Sequence, residues 1–153
     1  MPDRESLAVW RRATRGALLV LLVPLVAAAC SGAASPTPSG TRINVRLSNF
    51  AIQADKYSVP AGQIVFHVTN AGPSAHGLRI DRTTFASGAL PLRKDNLSVS
   101  EHAKGMHAAG SIAEVVLDET RDLVVRLRPG HYVLWCNREG HYLGGMRTTL
   151  TVR

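Results

Sequence analysis

The chain has 153 residues, 45% hydrophobic but only 5% aromatic, which suits one small domain and leaves few rings for stacking on single-stranded nucleic acid. The formal charge is +7, and setting aside residues 1–29, with their four arginines and two acids, leaves a surplus near +5. No clustered basic stripe accompanies that surplus, so nucleic-acid reading is excluded and its ordinary meaning is solubility, with mild attraction to acidic partners or anionic lipid.

Arg4, Arg11, Arg12 and Arg15 precede a mostly apolar run from Gly16 to Ala29, which is short for a membrane span and laid out as an export signal. The run closes on Val26-Ala27-Ala28-Ala29-Cys30-Ser31-Gly32, which is similar to the lipobox of bacterial lipoproteins, although Ala27 stands where leucine is commoner. Residues 1–29 are therefore predicted to be a signal peptide of lipoprotein type. Cys30 is then lipidated, and the exported chain is anchored to the outer face of the cell membrane, on its periplasmic or extracellular side. The alternative is ordinary cleavage within the alanine run, which leaves Cys30 incidental. Arg11-Arg12 resembles a twin-arginine signal, but Ala13-Thr14-Arg15 replaces the expected Phe-Leu; plain n-region charge is the commoner meaning of such a pair, and both export routes stay open. Residues 30–40, rich in Ser, Pro, Gly and Ala, have nothing to bury and read as a flexible tether.

From residue 41 to 153 the pattern is that of a single folded domain. Apolar residues alternate at Ile43, Val45, Leu47; Ile64, Phe66, Val68; Leu78, Ile80; Leu123, Val125, Leu127; Tyr132, Leu134, Cys136; and Met146, Leu150, Val152. Turn residues separate these runs at Val59-Pro60-Ala61-Gly62, Asn70-Ala71-Gly72-Pro73 and Arg128-Pro129-Gly130. The expectation is an all-β, antiparallel sandwich of six or more short strands. Residues 82–110 show no clear period and are left as a loop or short helix.

The last hairpin carries the chemistry, as Cys136-Asn137-Arg138-Glu139-Gly140-His141-Tyr142-Leu143-Gly144-Gly145-Met146, or Cys-x4-His-x4-Met. If Cys30 is lipidated, Cys136 has no internal disulfide partner, and a lone exported thiol is a liability unless buried or committed to a metal. Thiolate, imidazole and thioether together form a soft donor set suited to copper, whereas zinc rarely recruits methionine. Taken singly, the same residues read as a buried thiol, a turn histidine and a core thioether.

With the upstream turn Thr69-Asn70-Ala71-Gly72-Pro73-Ser74-Ala75-His76-Gly77-Leu78, the chain resembles the cupredoxins, the small type 1 or blue-copper proteins, over roughly residues 43–152. The resemblance implies a Greek-key β-sandwich holding one copper ion, Cu(I)/Cu(II), with His76 and His141 as equatorial imidazoles, Cys136 as thiolate and Met146 as weak axial ligand. It implies electron transfer rather than enzymatic turnover, and transient docking of redox partner proteins on a monomer through an apolar rim of Pro73, Leu143, Gly144 and Gly145. Gly77 departs from the pattern, since relatives often place there a polar residue that ties the two ligand segments together. His67 and His131 fall on the opposite strand parity from the core and are expected to face outward. His102, Met106 and His107 form either a second, weaker copper site or an exposed polar loop. If they bind metal, a copper-handling role, as chaperone or store, becomes the alternative function.

Overall fold

Two residues per repeat send Ile43, Val45 and Leu47 of β1 (Thr41–Ser48) to one buried face, and the same alternation recurs along the chain. The computed structural model describes residues 40–153, so the signal peptide and the lipidation at Cys30 lie outside the described residues. The other strands are β2 (Ala51–Ala54), β3 (Ser58–Val59), β4 (Gly62–Asn70), β5 (His76–Arg82), β6 (His107–Val115), β7 (Thr120–Leu127), β8 (Gly130–Trp135) and β9 (Arg147–Val152). They form two sheets, ordered β2-β1-β4-β7 and β3-β9-β8-β5-β6, and the inward residues of both build one apolar core.

The all-β sandwich expected from the alternation is present, but its sheets are mixed. The β1–β4 and β3–β9 ladders are parallel, while the others are antiparallel. Period two is common to both kinds of strand, so alternation carries no information about direction.

Residues 83–106 contain no helix and are largely turns, with one bridge between Leu92 and Val99. This segment lays Leu90, Val99 and Met106 against Val133, Trp135 and Tyr142, making a second apolar cluster on the outer face of the five-stranded sheet. Strand β8 is therefore buried on both faces, with Tyr132 and Leu134 in one cluster and Val133 and Trp135 in the other. The ladder registers gather the ends of β1, β4, β6 and β8 and the starts of β5, β7 and β9 at one pole of the sandwich. The proposed ligands all lie at that pole.

Candidate metal centre

His76 opens β5, and the turn before it is held by one buried side chain. Asn70 donates through Nδ2 to the carbonyls of Ser74 at 2.8 Å and Val115 at 2.9 Å, and its Oδ1 accepts the Gly72 amide at 2.9 Å. An amide is well suited here because it offers two donors and an acceptor at once. Space at Gly72 is tight, since a Cβ there would lie 3.0 Å from the backbone of Ser48 and Asn49 and 3.1 Å from His76 Nε2 and would press on both.

Cys136 follows β8 directly, and the loop after it is closed by its own backbone. The Met146 amide donates to His141 O at 3.0 Å, and the Cys136 amide donates to Met146 O at 3.1 Å. Met146 is fully buried in the same core cluster as Cys136. The outer segment clamps this loop through Tyr142, whose hydroxyl donates to Ser87 O and accepts the Leu90 amide, both at 2.8 Å. Its ring meets Trp135 edge-on, with centroids 6.2 Å apart. Asn137 joins the same segment by accepting the Val99 amide at 2.7 Å and donating to Glu101 at 2.7 Å.

These two segments bring the Nδ1 atoms of His76 and His141 to 3.2 Å and place Cys136 Sγ 3.7 Å from His141 Nδ1. All three donors lie within 4.8 Å of one another. Two donors held by one ion at trigonal angles are separated by roughly 3.5–3.8 Å, given bond lengths near 2.0 Å to nitrogen and 2.3 Å to sulfur. The observed spacing is close to that, and the donor set therefore fits a single soft metal ion.

The electrostatics agree. Burial first, and then the neighbouring His141 and Arg138, lower the pKa of His76; burial and Arg138 lower that of His141. Neutral imidazoles are the ligating form. His76 Nε2 is buried with no hydrogen-bond partner, a loss of about 1–3 kcal/mol that a strong bond at Nδ1 would offset.

Gly77 now has a structural account. Its amide points at Cys136 Sγ, 3.4 Å away, and a Cβ would stand 2.8 Å from the Ala113 carbonyl of β6. The close approach of β6 leaves no room for a side chain, and a backbone N–H joins the two ligand segments instead.

His67 turns away from the core as its parity requires and contacts Asp122 at 2.6 Å. His131 is partly covered and lies 3.1 Å from Thr83 O, because residues 83–106 shield that face. Of the other three residues singled out for metal, Met106 is buried in the second apolar cluster, whereas His102 and His107 are exposed. Pro73, Leu143 and Gly144 are exposed around the ligand pole, while Gly145 is partly covered.

Phe50 escaped the sequence reading. It is 51% exposed in the β1–β2 turn, with φ of 61°, and its ring lies against His141 and Gly144. A phenylalanine in the turn Ser48-Asn49-Phe50 belongs to no apolar period, and nothing local marks it as adjacent to residue 141. Asp81 and Trp135, joined by a 2.8 Å hydrogen bond behind Cys136, were also not foreseen.

No protein-family model and no curated protein matches the chain. Solved structures do. Dithionite-reduced auracyanin from the photosynthetic bacterium Roseiflexus castenholzii aligns with a TM-score of 0.57 at 18% identity, covering 76% of this chain and 99% of that one. Auracyanin A, described as a "blue" copper protein from the green thermophilic photosynthetic bacterium Chloroflexus aurantiacus, aligns at 0.50 with 17% identity, covering 73% and 99%. Reduced rusticyanin aligns at 0.53 with 14% identity, covering 76% and 82%. At these identities the likeness establishes the fold alone.

Proposed function

We propose that this chain, which has the cupredoxin fold, is a type 1 copper protein that passes single electrons between redox partners. The observation that carries the reading is the convergence of His76, Cys136 and His141 within 4.8 Å at one pole of the sandwich. Copper, when bound, supplies a one-electron Cu(I)/Cu(II) couple. The chain's part is to hold the donors still. His76 and Cys136 are fully buried, Asn70 fixes the turn before His76, and Tyr142 pins the loop between Cys136 and Met146. Met146, buried in the same core cluster as Cys136, would be the fourth residue to hold the ion. A site braced on both sides changes little between oxidation states, so little rearrangement opposes electron movement, and no bond of a substrate is made or broken.

His141 is the ligand nearest solvent, with the ring of Phe50 against it, and Phe50 and Leu143 are both about half exposed, with Pro73 exposed at the same pole. This apolar rim supports brief docking of redox partner proteins, for which small interfaces are usual. The chain is taken to act as a monomer, exported and held at the outer membrane face through lipidated Cys30. Replacing Cys30 with alanine should release the protein or leave its signal uncleaved; full recovery of the unaltered protein in the soluble exported fraction would count against the anchor.

The decisive test is a visible spectrum. One equivalent of Cu(II) should give an intense blue or green thiolate charge-transfer band that Cys136→Ser abolishes. A colourless complex, or colour that survives the substitution, removes the assignment.

A further inference from the structure

The pole opposite the ligands has a chemistry of its own. Gly40 and the start of β1 lie there, because Thr41 is in register with Ile64 near the start of β4, and Gly62 with Leu127 at the end of β7. The ends of β5 and β9 and the starts of β6 and β8 meet at the same pole.

Arginine collects there. Arg82 at the end of β5 stands opposite His107 and Tyr132 in its two ladders. A cleft beside it is lined by Arg82, Thr83, Thr84, Gly105, His107 and His131. Arg126 and Arg128 line a second depression around the β7–β8 turn. Neither lining contains an acidic residue, and none of these three arginines takes part in a salt bridge among the described residues. Toward the ligand pole, by contrast, Arg121 pairs with Glu119 and Arg138 with Glu114. Like charges placed side by side and left unneutralised disfavour the fold slightly, and anions supplied from outside relieve that cost.

We propose that this basic pole rests on the anionic headgroups of the membrane to which the chain is anchored, directing the metal end away from the bilayer. The inference rests on the anchoring reading. Residues 31–39 can reach at most about 30 Å when fully extended. That keeps the domain within contact of the surface but leaves it free to turn, so an additional force is needed to orient it. Each basic side chain near an anionic surface raises binding by roughly fivefold, so three arginines together give on the order of a hundredfold preference for this face.

The test uses the full-length, copper-loaded protein reconstituted into vesicles of phosphatidylcholine alone or with about 30% phosphatidylglycerol, a surface potential of the kind that attracts basic segments. Phenylglyoxal labelling of arginine is then read residue by residue by mass spectrometry. On anionic vesicles, Arg82, Arg126 and Arg128 should label several-fold more slowly than on neutral ones, with Arg121 and Arg138 unchanged. Protection should vanish near 0.5 M salt, where the Debye length is roughly 4 Å. In Arg82→Gln/Arg128→Gln, Arg126 should lose its protection while the visible spectrum stays the same. Equal labelling on both vesicle types overturns the proposal, as does protection of the Arg121 and Arg138 end. Protection by inorganic phosphate equal to that by anionic vesicles also overturns it, since the cleft would then be a small-anion site. Loss of protein from neutral vesicles would instead remove the anchor, and the labelling contrast on anionic vesicles would still decide the fate of the basic pole.

Discussion

The ring of Phe50 meets the ring of His141 edge-on, with centroids 5.6 Å apart and planes inclined by 69°. The contact depends on two backbone conditions. Phe50 holds φ at 61°, a left-handed conformation that costs a non-glycine residue about 1–2 kcal/mol, and residue 144 is glycine, since a Cβ there would collide with the Phe50 ring. Phe50→Gly should therefore leave stability within about 1 kcal/mol of the parent, because relief of strain offsets the lost contact. It should also lower the reduction potential, as water reaching His141 favours the more highly charged oxidised ion. Voltammetry and denaturant titration check both outcomes, and an unchanged potential would show that the ring does not shield the site.

Met146→Leu conserves volume in the core, so a stability change below about 1.5 kcal/mol is expected. Loss of the thioether removes a donor to the oxidised ion, and the buried leucine offers nothing in its place, so the potential should rise while copper is retained through repeated cycling. Copper loss on reduction would instead show that Met146 is needed to hold the ion.

Asn70→Ala strips partners from the Ser74 and Val115 carbonyls and the Gly72 amide. A destabilisation of about 2–4 kcal/mol is expected from groups left buried and unpaired. Copper should also leave faster, since His76 sits at the end of the turn that Asn70 holds. Competition with a chelator measures the release rate.

Asp81 is buried, and desolvation holds its pKa above the ordinary 3.8 even though Trp135 donates to it and Arg79 is near. The folded chain thus binds the Asp81 proton more tightly than the unfolded chain. This contribution favours folding most below pH 3.8 and is lost as pH rises through the raised value. Asp81→Asn should abolish that downward slope. Denaturant titrations of the metal-free parent and variant across pH 3.5–7 test it, because the histidine contributions are common to both and cancel in the difference.

Replacing His102, Met106 and His107 together with alanine separates the electron carrier from a copper-handling module. Met106 is buried among Leu90, Val99 and Trp135, so the triple variant should lose about 2–3 kcal/mol of stability. Its potential and its one-electron cycling should match the parent. Rapid handover of Cu(I) to an acceptor protein, abolished by the same replacement, would favour the copper-handling reading.

Local pattern revealed most of the strands because one face of each is buried, which fixes period two. It did not reveal β6, where Ala108, Ala109 and Gly110 interrupt any alternation, nor the role of residues 83–106, whose apolar members are spaced by turns rather than by a regular element. The loop from Cys136 to Met146 was legible because its donors are close in sequence. His76 came from its turn and from the resemblance, since sixty positions separate it from Cys136 and no local rule measures that contact. Phe50, Tyr142 and Asn137 were illegible for the same reason: each acts across a fold-level contact with a partner 38 to 91 positions away.

Strand β9 lies inside its sheet, between β3 and β8, although it follows every other described strand in chain order. As the chain folds, the sheet therefore has a gap in its middle until β9 docks, and Met146, whose carbonyl accepts the Cys136 amide, docks with it. Until that moment the thiol of Cys136 is uncovered, and oxidants or stray thiols can reach it. The position of β9 in the sheet thus sets an interval of chemical vulnerability, which ends only when that strand slots into place.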